Sequence, residues 1–239
     1  MAVFKIHEMK ILLTICWALI SNIVLGQFAI IYDKDGSCNI RSSAEKGNNI
    51  IDTLENGHLV YWLETKGNWE NIDYTKNKNE CNGYVYKSKL KNISDYKAIP
   101  ILLKEKTKVT LGKDSIRIVV TQQKFNKEKY KLSFSKENKD QLEYVNGEKY
   151  WGTDGEIPKS EYKSIEIYIG TKKVVLPKKA IANLFDFTEM NLDKTQVNYD
   201  EKNDIFYIQS MNSDGAGAYE VIWKIEKGIY KDRFVAYGF

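Results

Sequence analysis

Catalysis and metal binding need ionisable or nucleophilic side chains at workable spacing, and this chain of 239 residues offers few. Its two histidines are His7, near the amino terminus, and His58, just after the turn residue Gly57. A Ser–His–Asp triad would have to recruit His58, and a zinc site would lack its second histidine. His58 therefore reads as an exposed strand residue. Carboxylates are plentiful but poorly placed. Asp33-Lys34-Asp35-Gly36 starts like a calcium loop, yet Ala44 stands where the loop needs its bidentate acid, so the stretch is a β-turn. Asp154 and Glu156 flank Gly155, and Asp200, Glu201 and Asp204 cluster. Two carboxylates about 5–10 Å apart would suit a glycoside hydrolase, but acids of this kind read first as a solvated surface. The loop Asn212-Ser213-Asp214-Gly215-Ala216-Gly217 has the glycines of a phosphate cradle without its lysine or its following helix. It reads as a tight connection whose small residues let backbones approach. The sharper alternative is a partner-binding loop presenting Asp214 and Tyr219. No catalytic, cofactor-binding or metal-binding residue is assigned.

The amino terminus bears on compartment. Lys5, His7 and Lys10 precede an apolar run, Ile11 to Leu25, which ends in Val24-Leu25-Gly26. This is the pattern of a secretory signal peptide over residues 1–26, cleaved after Gly26. Ile15 before Cys16 argues against a lipoprotein signal. Cleavage removes Lys5, Glu8 and Lys10 and lowers the formal net charge from +4 to +3. So small a charge on a mixed Lys/Glu surface excludes a nucleic-acid footprint. No stable membrane span remains once the signal is removed, and the chain is expected in the periplasm or outside the cell. Cys38 and Cys81 are left as an even pair in an exported chain, which predicts a disulfide between them.

The elements that must position these residues are strands. The chain is 43% hydrophobic, enough for a packed core, and has only 3 prolines. Its Tyr, Val, Ile and Trp content favours β structure. Short apolar runs alternate with turn residues from Phe28 to Leu90. Thr75 to Asn82 reads as a polar loop, and residues 95–108 as a linker. Beyond it, residues 109–239 form a second, mostly antiparallel β domain. Period-two patterns such as Tyr130-Leu132-Phe134 and Ile165-Ile167-Ile169 mark its strands. Glu226-Lys227-Gly228 is a hairpin turn, and one minor helix follows Pro177, over 178–185.

Asp35-Gly36-Ser37-Cys38-Asn39-Ile40-Arg41, Gly67-Asn68-Trp69 and Gly83-Tyr84-Val85-Tyr86 occur in an order that resembles the bacterial SH3-like (SH3b) domain. The resemblance covers residues 28–93, about a quarter of the chain, and places an SH3b-like domain at 27–94. It implies a small barrel with Ile40 inward and Arg41 outward. It also implies an aromatic surface for an extended ligand, drawn from Tyr61, Trp62, Trp69, Tyr84 and Tyr86. Alternation forbids Tyr61 and Trp62 from both pointing inward, so at least one is exposed or covered by the second domain. In such a barrel early and late strands meet, which would bring Cys38 towards Cys81. The resemblance implies an exported, non-catalytic protein of the cell envelope that binds cell-wall peptide or a protein partner. The alternatives are an immunity or inhibitor protein against a secreted toxin or lytic enzyme and, last, a carboxylate-based envelope hydrolase.

Overall fold

The computed structural model describes residues 27–186 and 192–237; the signal-peptide reading of residues 1–26 lies outside them. The described fold is mainly β, with antiparallel pairing between its strands and a single α-helix of one turn. Among the described residues no helix is long and apolar enough to cross a membrane.

Strands β1 (Gln27–Ile31), β2 (Ser37–Arg41), β3 (Ile50–Glu55), β4 (Leu59–Lys66), β5 (Trp69–Lys76), β6 (Asn79–Tyr86) and β7 (Leu90–Asn92) form one curled sheet. Its order is β3-β2-β6-β5-β4-β1-β7, a half-barrel. Side chains alternate across a strand, and the concave core collects one residue in two: Ile40, Leu54, Val60, Ile72, Tyr74 and Val85. Ile40 is buried and Arg41 faces out, as alternation requires.

One expected loop is absent. Thr75 to Asn82 continues the β5–β6 hairpin, which closes in two residues, Asn77 and Lys78, with φ of 52° and 67°. Two positive φ values match the twist of the flanking strands, so a two-residue turn suffices. Cys81 is consequently a strand residue opposite Tyr74.

The stretch expected as a linker is also structured. It supplies β8 (Lys97–Ala98) and β9 (Ile101–Glu105), each recruited to a different sheet. β9 joins β10 (Lys108–Lys113), β11 (Ile116–Lys124), β14 (Ser160–Ile169) and β15 (Lys172–Val175) in the order β15-β14-β11-β10-β9. β12 (Leu132–Phe134) and β13 (Leu142–Val145) make a small separate hairpin. β8 lies at the edge of β16 (Gln196–Asp200), β17 (Ile205–Asn212), β18 (Tyr219–Glu226) and β19 (Ile229–Tyr237). Lys227 and Gly228, with φ of 51° and 73°, close the expected β18–β19 hairpin.

The two five-stranded sheets share a core. Val109, Leu111, Ile118 and Ile165 of one meet Phe206, Ile208, Val221 and Trp223 of the other. The second of these sheets is buried on both faces, because Tyr207, Ile222 and Phe234 turn the opposite way and pack on Phe28, Leu59 and Tyr61 of the half-barrel. Lys224 crosses the same junction to donate to the Gly57 carbonyl at 2.9 Å. Burial on both faces explains the near-continuous apolar runs of β17 and β18.

The helix, α1 (Lys178–Ile181), is shorter than the expected span to residue 185. Asn183 adopts φ of 60°, and Leu184 and Phe185 are captured by bridges to Trp151 and Glu161. Backbone groups committed to those bridges cannot continue a helical ladder.

Candidate functional site

The outer face of the half-barrel carries the aromatic surface. Trp69 on β5 and Tyr86 on β6 are direct cross-strand partners, and their rings meet edge-to-face at 5.2 Å. The Arg41 guanidinium lies 5.8 Å from the Trp69 ring centroid. It is held there by donating to the Gly47 carbonyl at 2.8 Å and to Asn49 Oδ1 at 2.7 Å. Tyr84, two residues before Tyr86 on the same face, accepts from Lys66 Nζ at 2.8 Å. Arg41, Trp69 and Tyr86 form one wall of a cleft of about 560 Å³, and Asp33, Lys46 and Lys89 contribute charge to it.

The charged rim is built by turns. Asp33 pairs with Lys89, and its Oδ1 accepts from the Asp35 amide at 3.0 Å. These contacts hold the Asp33 carboxyl below its usual range, led by the hydrogen bond from Lys89. Asn56 clamps the same turn from the neighbouring one: its Oδ1 accepts from the Asp33 amide at 2.7 Å, and its Nδ2 donates to the Asp33 carbonyl at 2.6 Å. The cleft thus joins fixed aromatic edges to both signs of charge, which suits an extended polar ligand carrying amines and carboxylates.

The remaining expected site residues fall elsewhere. Tyr61 is 4% exposed and packs on Phe28 at 5.1 Å, covered by the β17–β19 sheet. Trp62 is half-buried against the half-barrel core. Tyr219 has no exposed surface, and its hydroxyl donates to the Phe185 carbonyl at 3.1 Å. Tyr61 and Tyr219 therefore cannot meet a ligand at the surface. Asp214 is exposed at the start of a 3-10 turn. His58 is half-buried, with its ring 6.1 Å from that of Tyr74, and burial lowers its pKa. Asp154 and Glu156 are exposed, whereas Asp200 is buried and accepts from Asn203 Nδ2 at 2.7 Å.

The disulfide is overturned. Cys38 and Cys81 are both free thiols. Arg41 faces Tyr84 across the antiparallel β2–β6 pair. Cys38 and Cys81 each precede that pair by three residues on strands running in opposite directions. They therefore stand about 20 Å apart along the strands, beyond any bridge. Burial also pushes the Cys38 thiol up to about 11. In a chain starting at Gln27, dithiothreitol is expected to leave the melting temperature unchanged. Alkylation should reach the half-buried Cys81 before the buried Cys38. A melting temperature that falls on reduction would restore the bridge.

Alternation could reveal the face shared by Trp69 and Tyr86. It carries no signal for Asp33, Lys46 and Lys89, which come from three segments that only the sheet order brings together. No family model, curated protein or solved structure matches this chain.

Proposed function

We propose that the chain is an exported, non-catalytic binding protein of the bacterial cell envelope, and that its half-barrel holds an extended cell-wall peptide. The reading is supported above all by the Arg41–Trp69–Tyr86 wall, a fixed aromatic surface on the part of the chain that resembles an SH3b domain. The two rings offer contact area with little side-chain entropy left to lose. Asp33 and Lys89 neutralise one another, while Asp35 and Lys46 remain to meet a peptide that bears both charges. An envelope protein presenting an extended segment would use the same wall.

Co-sedimentation with isolated cell walls tests the proposal. The protein should pellet with walls at low salt. Trp69→Ala should weaken binding by about 30-fold, the equivalent of a roughly 2 kcal/mol hot spot. Trp69 is only half-buried, so the variant should keep the native circular dichroism spectrum. Failure of the wild-type protein to pellet, or equal pelleting of the variant, would remove the wall reading.

A further inference from the structure

A second cavity, of about 510 Å³, opens between β14, α1 and the 3-10 turn Lys127–Lys129. On its lining is a carboxylate that the β-sheet has taken almost wholly out of water: Glu161 is 4% exposed. Gln123, its direct partner across β11–β14, donates to Oε1 at 2.6 Å, and the Tyr130 hydroxyl donates to Oε2. A carboxylate has about four lone-pair sites, so roughly two are left for another donor. Tyr130 is itself immobilised, stacked on Phe125 at 4.8 Å and edge-on to Phe185 at 5.9 Å.

Three exposed lysines share the cavity lining with this buried acid: Lys129, Lys163 and Lys178. None of them has an ion-pair partner among the described residues. Lys163 is the unpaired residue of a bulge: Thr121 pairs with Ser164 and Gln122 with Tyr162, which skips it. Bulges re-aim side chains, and this one places Lys163 beside Glu161 on the cavity lining.

These features define a ligand. A bare anion would be drawn by the lysines but would find Glu161 beneath it. An ammonium group would suit Glu161 but be repelled by three lysines. Neutral hydroxyls can fill the unused lone pairs of Glu161 without that repulsion, and a separate anionic group can lie among the lysines. We propose that this cavity binds an acidic sugar, a pyranose ring bearing a carboxylate or a phosphate. Adjacent ring hydroxyls donate to Glu161, the ring lies beside Tyr130, and the anionic substituent meets Lys129, Lys163 and Lys178. This site is separate from the Trp69–Tyr86 cleft and does not depend on it.

Titration of the purified protein with galacturonate, glucose 6-phosphate, glucose, inorganic phosphate and free glutamate, followed by amide NMR shifts, tests the assignment. At least one of the two acidic sugars should shift amides around Tyr130, Glu161 and Lys163. A response to galacturonate alone assigns the substituent as a carboxylate, and a response to glucose 6-phosphate alone as a phosphate. Glucose and inorganic phosphate should each bind about tenfold more weakly or worse. Glu161→Gln and the pair Lys163→Ala with Lys178→Ala should each weaken the acidic sugar by about tenfold or more. The lysine pair is exposed, so its test does not depend on Glu161→Gln folding. Absence of shifts at millimolar sugar, equal binding of phosphate or glutamate, or unchanged binding by the lysine variant would overturn the proposal.

Discussion

Trp223→Ala is expected to remove about 3–5 kcal/mol of folding stability, the range for truncating a fully buried large aromatic residue. Trp223 sits in the middle of β18 with no exposed surface, and pairs with Ile208 on β17 and Arg233 on β19. Its ring meets that of Tyr162 edge-to-face at 5.4 Å, joining the two five-stranded sheets. Its Nε1 donates to the Ala180 carbonyl at 2.7 Å and so ties α1 to the sheet. Alanine would leave a cavity between two sheets, where neighbouring strands cannot collapse without losing their own pairing. A domain has only about 5–15 kcal/mol to lose, so the variant should unfold at much lower urea. Trp223→Phe separates the two contributions. It keeps most of the volume but loses the indole hydrogen bond, and should cost about 1 kcal/mol beyond its lost packing. A loss below about 1 kcal/mol for Trp223→Ala, read by circular dichroism in urea, would contradict this packing of Trp223 between the two sheets.

Gly152→Ala is the second large effect, expected to cost about 3 kcal/mol or more through backbone strain and steric overlap together. Gly152 has φ of +120°, and a Cβ there would lie 2.2 Å from the Phe185 carbonyl oxygen and 2.5 Å from its carbon. Both are backbone atoms, so no side chain can rotate away. The Gly152 carbonyl also accepts from Ser213 Oγ at 2.6 Å, and a Cβ on Gly217 would come within 2.8 Å of the same oxygen. Three chain segments therefore meet backbone to backbone at this point. Gly67, at φ of +61° in open space, isolates the conformational cost from the clash. Gly67→Ala should lose about 1–2 kcal/mol. Equal losses for the two variants in thermal unfolding would mean that the three-way contact is wrong.

That contact also accounts for the glycine-rich segment after Asn212. With no phosphate-binding helix behind it, the segment reads from its composition as a tight connection, and Gly217 does lie against the Gly152 carbonyl. The loop leaves Asp214 exposed but takes Tyr219 into the core. A single segment thus contains a surface residue and a core residue five positions apart, a distinction that composition alone cannot make.

Taken alone, the amino-acid sequence determined what local geometry controls. Alternating Ile165, Ile167 and Ile169 require a strand with one apolar face, and Lys227-Gly228 supplies the two positive φ values of a hairpin. Ile40 and Arg41 take opposite faces because neighbouring side chains in a strand must. These local rules made the mainly β fold legible, along with the outward placement of Arg41. The tertiary structure decided what covers each face and which strands become neighbours. Tyr61 and Trp69 are both strand aromatics, but a second sheet seals Tyr61 while Trp69 stays at the surface. The two-residue turn at Asn77-Lys78 and the β2–β6 register hold Cys38 and Cys81 apart. The cavity around Glu161 assembles residues from positions 123 to 185, joined by a bulge, a short helix and two bridges. Alternation constrains a side chain's direction within its own strand. The partner strand, its register and the sheet packed against it depend on contacts between distant segments, and these set whether that side chain becomes core, cleft or surface.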